Sequence, residues 1–119
     1  MKIESIDLCK FGEEEACKFL RKQRCKILER NYLTRRGEVD IIAQSGKIVI
    51  FVEVKTRSSS AYAAPWESVG FRKRERLRNA AKQYISEHIL NGYEFRFDVI
   101  SITLSDSVKP EIEWLQHAF

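Results

Sequence analysis

Between Gly37 and Arg57 the chain reads GEVDIIAQSGKIVIFVEVKTR. Asp40, Glu53 and Lys55 interrupt two Ile- and Val-rich runs that otherwise suit buried strands. Two carboxylates and an ammonium group in this pattern suit phosphodiester hydrolysis. Hard oxygen ligands would hold a divalent cation such as Mg²⁺ or Mn²⁺, which polarises a phosphate and lowers the pKa of a water. Asp40 and Glu53 are the candidate ligands, with the Val54 carbonyl as a further oxygen donor. Lys55 would stabilise charge developing on the phosphate or orient the attacking water. The alternative is a structural acid–lysine ion pair at a sheet end.

Those side chains must be positioned by a hairpin. With Ser45 and Gly46 as the two central turn residues, Ile42 opposes Val49, Asp40 opposes Phe51 and Glu38 opposes Glu53. Alternation then puts Glu38, Asp40, Glu53 and Lys55 on one face, with Asp40 and Glu53 as diagonal neighbours. The other face carries Val39, Ile41, Ala43, Ile48, Ile50, Val52 and Val54, and must be core. Two glutamates directly opposite each other are destabilising unless a cation lies near them, which again points to a metal.

Around the hairpin, KFGEEEACKFLRKQR places Phe11, Ala16, Phe19 and Leu20 on one helical face, with acids in its first turn. CKILERN reads as a strand, Glu38–Ala43 and Ile48–Lys55 as the hairpin strands, and TRSSSAYAAP as an exposed, mobile loop. Leu77, Ala80, Ala81, Tyr84, Ile85, His88 and Ile89 recur at helical spacing, giving a second helix from about Phe71 to Leu90 before an Asn91-Gly92 stop. FRFDVISITL and Ile112–Leu115 are the remaining strands. The expected architecture is α/β: one domain over 1–119, a mixed sheet with helices on its faces.

A chain of 119 residues, 44% hydrophobic and 32% charged, can bury a core and is not globally disordered. It contains no apolar run of the ~20 residues needed to span a bilayer, and no signal-like segment opens it, so the expected location is the cytoplasm, without a membrane partner. Cys9, Cys17 and Cys25, with no CxxC pair, fit reduced thiols better than disulfides or zinc. Of the formal charge of +4, the segment from Arg57 to Lys82 carries +5, which suits a polyanion such as nucleic acid or, equally, a solvated helix face.

Asp40 followed by Glu53-Val54-Lys55 at the end of an apolar strand resembles the PD-(D/E)xK nuclease superfamily. Within it the chain is similar to the YraN, or UPF0102, family of predicted endonucleases related to Holliday junction resolvases. The resemblance rests on Gly12-Glu13-x-x-Ala16, Phe19-Leu20, Arg30-Asn31, Gly37-Glu38-Val39-Asp40 and Phe51-Val52-Glu53-Val54-Lys55-x-Arg57. It continues through Lys73, Leu77, Ala81, Tyr84, Arg96-Phe97-Asp98-Val99 and Ala118-Phe119. It implies a restriction-endonuclease-like fold, catalytic roles for Asp40, Glu53 and Lys55, and Glu13 as a further, acidic catalytic group from the first helix. Glu38 is then a supporting acid or a further ligand. The sequence departs from relatives at Ala63 or Ala64, where Gly is frequent, and at His117, where Asn is usual.

Arg57, Arg72, Lys73 and Arg74 are the candidate phosphate contacts, with Lys73 first because it falls on a family landmark. Tyr62 and Trp66 could stack on bases, though packing is the commoner role. Arg96 and Asp98 form a candidate supporting pair behind the site. The expected function is a metal-dependent endonuclease acting on DNA, branched DNA included, with a two-fold dimer suited to cutting two strands. The competing expectations are a nucleic-acid-binding protein of the same fold that cleaves little, and a structural or partner-binding domain.

Overall fold

A computed structural model describes residues 5–58, 70–104 and 109–119. The chain runs α1 (Ser5–Lys22), β1 (Lys26–Thr34), β2 (Gly37–Ser45), β3 (Ile48–Ser58), α2 (Phe71–Glu87), β4 (Glu94–Leu104) and β5 (Glu111–Leu115). The strands form one sheet in the order β1-β2-β3-β4-β5. Pairing is antiparallel except between β3 and β4, which are parallel because α2 lies in the crossover between them. Tyr62 and Trp66, candidates for stacking or packing, lie outside the described residues, as do Ala63, Ala64 and most of the expected mobile loop.

The two helices cover opposite faces. Ala16, Cys17 and Leu20 of α1 pack on Ile41, Ala43, Ile50, Val52, Ile100 and Ile102. Leu77, Ala80, Ala81 and Tyr84 of α2 pack on Val39, Ile42, Val49 and Phe51. Because β2 and β3 are covered on both sides, they read as nearly continuous Ile/Val runs, whereas the edge strands β1 and β5 alternate with exposed residues. Phe51 anchors the α2 face: its ring stacks on Phe97 at 5.5 Å and meets Tyr84 at 6.1 Å, while Phe97 stacks on the last residue, Phe119, at 5.7 Å.

The architecture is the expected single α/β domain, but three local expectations change. The β2–β3 register pairs Ser45 with Ile48 and Ile42 with Phe51, two residues from the expected one. Gly46, with φ 58°, takes the first central turn position, where a positive φ favours glycine, so the turn is Gly46-Lys47. A slip of two preserves every facing, but it removes the expected Glu38–Glu53 opposition. Val39 also moves: it packs with Ile42, three residues on, in the α2 cluster, so alternation slips by one residue at Asp40–Ile41. Finally, α2 ends at Glu87 rather than near Leu90, as His88 leaves helical backbone (φ −127°, ψ 150°) toward the turn at Gly92. Ile89 is consequently 91% exposed instead of completing the apolar face.

Two glycines set the helix positions. A Cβ on Gly12 would collide with the Thr56 side chain, and one on Gly37 with the backbone of Arg76. Without side chains there, α1 lies against the end of β3 and the first turns of α2 lie against the start of β2. Cys9 is exposed and Cys17 and Cys25 are buried, all as free thiols. No helix among the described residues is long and apolar enough to cross a membrane.

Candidate metal and phosphate site

The slip at Asp40 creates the site. The β2–β3 ladder stops at Ile41–Val52, and the next free donor on β3, the Val54 N–H, donates to Asp40 Oδ2 at 2.9 Å. A carboxylate thus stands where a main-chain carbonyl would continue the ladder. Glu53, only 4% exposed, lies beside it within hydrogen-bond reach. Around them opens a cleft of about 270 Å³ lined by Cys9, Glu13, Asn31, Glu38, Asp40, Glu53, Val54, Thr56 and Lys73. Both helices reach it, α1 through Cys9 and Glu13, and α2 through Lys73.

The electrostatics are unbalanced around Asp40. Burial first, then the neighbouring Glu53, pushes its carboxyl from 3.8 up to about 8, against the Val54 N–H, which favours the ionised form; Glu13 adds to the rise. Glu53 Oε1 meets Lys73 Nζ at 2.5 Å and Lys55 Nζ at 3.7 Å. Burial lowers the Lys55 pKa and the adjacent Lys73 ammonium lowers it further, with Glu53 and Asp40 opposing. Burial also works against charge on Lys73, but its hydrogen bonds to Glu53 and Lys55 prevail, and its pKa is raised.

The residues singled out from sequence fall into three groups. Glu13, Asp40, Glu53, Lys55 and Lys73 converge, and Glu38 stands exposed on the cleft wall. Lys73 therefore meets Glu53 within the acidic cluster while its side chain stays 45% exposed. Arg57 continues β3 two residues past Lys55. Arg72 is exposed at the start of α2, and Arg74 is half-buried with its Nε unpartnered among the described residues. The first turn of α2 holds no acid, so its cations oppose the helix dipole and leave that end attractive to anions.

Arg96 and Asp98 do not line the cleft. Asp98 is fully buried and accepts from Arg96 Nε at 2.9 Å and Arg96 Nη2 at 2.8 Å, from Trp114 Nε1 at 2.8 Å and from the His117 N–H at 3.1 Å. This network ties β4 to β5 and the C-terminal turn. His117 has φ 52° and contributes its backbone N–H, which explains why a histidine serves at that position.

Sequence reasoning passed over Asn31, Thr56 and Cys9 as cleft residues. Asn31 takes φ 52° in the middle of β1, a left-handed conformation that asparagine tolerates better than most residues. An Asn inside a strand was the available signal. Thr56 and Cys9 become visible only through the Gly12 contact that draws α1 against β3.

The donor set fits an oxygen-ligated divalent cation of the Mg²⁺ class. Such an ion uses one or two carboxylates and keeps waters or phosphate oxygens for the rest of its shell, and Asp40 with Glu53 supplies that pair. Burial first, and the neighbouring Glu53 next, disfavour the ionised Asp40, and a cation on the pair would oppose both. Among the described residues there is no group of three or more His, Cys, Asp or Glu arranged for a metal, so the two carboxylates would leave most of such an ion's shell to water or substrate oxygens.

Comparison with known proteins fits this site into a family. The pattern of the uncharacterised protein family UPF0102 matches residues 12–102, from the α1 glycine to the end of the β4 core. A UPF0102 protein of Dictyoglomus turgidum is 43% identical over 116 residues, covering 95% of this chain and 97% of its own length. One from Alkaliphilus metalliredigens is 45% identical over 92 residues, covering 77% and 79%, and one from Rhodococcus opacus is 39% identical over 108 residues, covering 91% and 92%. With the match running through both helices, the hairpin and the cleft, the chain belongs to the UPF0102 family.

Proposed function

We propose that the protein is a metal-dependent endonuclease of the PD-(D/E)xK type, hydrolysing phosphodiester bonds in DNA, branched DNA included. The observation that carries this reading is the pairing of Asp40 and Glu53 at one cleft with Lys55 3.7 Å from Glu53, the Asp40 carboxyl being raised to about 8 by burial and by Glu53. Asp40 and Glu53 would hold Mg²⁺ or Mn²⁺, which when bound supplies Lewis-acid polarisation of the phosphate and a more acidic water. The Asp40 carboxylate is oriented by the Val54 N–H. Lys55, its ammonium form weakened by burial, orients the attacking water and stabilises charge on the phosphate oxygens. Water oxygen bonds to phosphorus as the ester oxygen leaves. Glu13 adds negative potential that favours the cation, and Glu38 shapes the rim.

Arg57, Arg72 and Arg74 would hold the phosphate backbone, which positions a duplex without reading its sequence. The three free thiols accord with a cytoplasmic setting. A second reading, a nucleic-acid-binding protein with little cleavage, is favoured by the Lys73–Glu53 pair, which satisfies Glu53 without any metal. Incubating branched and linear DNA with Mg²⁺ or Mn²⁺ separates the two. The nuclease reading expects cleavage by the parent and a loss of about a hundredfold or more in Asp40→Ala and Lys55→Ala. Cleavage unchanged in both variants would remove the catalytic assignment, and binding without cleavage by the parent would favour the second reading.

A further inference from the structure

Lys73 is the unexpected occupant of the acidic cluster. Its Nζ lies 2.5 Å from Glu53 Oε1, the same oxygen that Lys55 approaches only to 3.7 Å. The Glu53 side chain is 5% exposed, so its charge cannot be left to solvent, and among the described residues its nearest cation is Lys73 on α2, with Lys55 farther off. The Lys73 side chain is 45% exposed, against 18% for Lys55. Lys73 can therefore swing toward the cleft mouth on its four-carbon stem while α2 stays fixed by the Gly37–Arg76 contact and by buried Leu77. An ammonium in direct contact with one carboxylate oxygen and a divalent cation on that carboxylate would repel each other at close range, in surroundings that screen poorly.

We propose that Lys73 is a built-in counter-ion that competes with the divalent cation for Glu53, so that metal entry releases the lysine from the cluster toward the cleft mouth. The inference rests on the nuclease reading, since it assumes that Glu53 is a metal ligand. In the metal-free protein Lys73 offsets the buried negative charge and stabilises the fold. In the metal-bound protein its ammonium is free at the place where a phosphate would approach. The helix thus carries a cation with two positions, and the metal selects between them.

Calorimetric titration with Mn²⁺, together with thermal melts with and without Mn²⁺, tests this on the parent, Lys73→Met and Arg72→Met. Arg72→Met removes the same unit of charge one residue away and controls for general electrostatics. Lys73→Met should melt below the parent without metal, bind Mn²⁺ about tenfold more tightly, and show a larger rise in Tm on saturation. Arg72→Met should match the parent in all three. A Lys73→Met protein with Mn²⁺ affinity equal to or weaker than the parent's overturns the competition while leaving the nuclease reading intact. Absence of Mn²⁺ binding by every protein overturns the metal reading and the competition with it. If Lys73→Met fails to fold without metal, a cooperative melt recovered in Mn²⁺ supports the proposal, and failure in both conditions overturns it.

Discussion

Asp40 continues the sheet through its side chain and holds, beside Glu53, a charge that burial opposes. Its carboxyl titrates near 3.8 when unfolded and at about 8 in the metal-free fold. Between those values the folded chain keeps a proton that the unfolded chain has released, so the stabilisation is complete below the lower value and is lost as pH rises through the upper one. The metal-free parent should therefore lose stability across that window relative to Asp40→Asn, which lacks the titration; parallel urea midpoints across it would contradict the assignment. Metal binding near pH 7 should likewise release close to one proton, read from calorimetry in buffers of different ionisation enthalpy. The three core side chains, Asp40, Glu53 and Lys55, were legible because charges interrupting apolar runs are conspicuous. Asn31 was not, because its left-handed φ of 52° appears only once β1 is folded into the sheet.

At the scale of elements, two glycines decide whether the helices can reach the cleft. Gly37→Ala places a methyl group against the Arg76 backbone, which cannot yield as a flexible side chain could. The expected cost is about 1–3 kcal/mol in urea unfolding, together with a loss of cleavage, because the displaced turn carries Lys73. Gly12→Ala meets a threonine side chain instead and should cost less; equal costs for both would contradict the distinction. The succession of helices and strands along the chain was readable from periodicity, since local alternation and helical spacing record burial directly, although α2 stops at Glu87. The register was not, because either Ser45 or Gly46 could take the first turn position, and only the positive φ at Gly46 decides. An offset of two residues does not itself turn any side chain to the other face, which is why Asp40 and Glu53 still lie side by side. The Val39 slip depends on α2 covering that face, a tertiary cause that no local pattern carries.

Across the whole molecule, the modest net charge of +4 conceals a division between an acidic cleft and the cations of α2 beside it. That asymmetry was visible in the sequence as a charge run, but the sequence could not show that Lys73, itself still exposed, reaches Glu53. DNA affinity should fall steeply with salt, by about 0.9 in log K per log salt for each phosphate neutralised. Reversing Arg72 and Arg74 to Glu should weaken binding and flatten that slope; an unchanged slope would remove α2 from the phosphate contacts.

The central claim is that Asp40 and Glu53 share a divalent cation. A crystal soaked in Mn²⁺ and measured for anomalous scattering tests it directly. The expected result is a peak about 2.1 Å from an oxygen of each carboxylate, with Lys73 Nζ withdrawn from Glu53. A saturated soak with no peak there, and Lys73 still on Glu53, would contradict it.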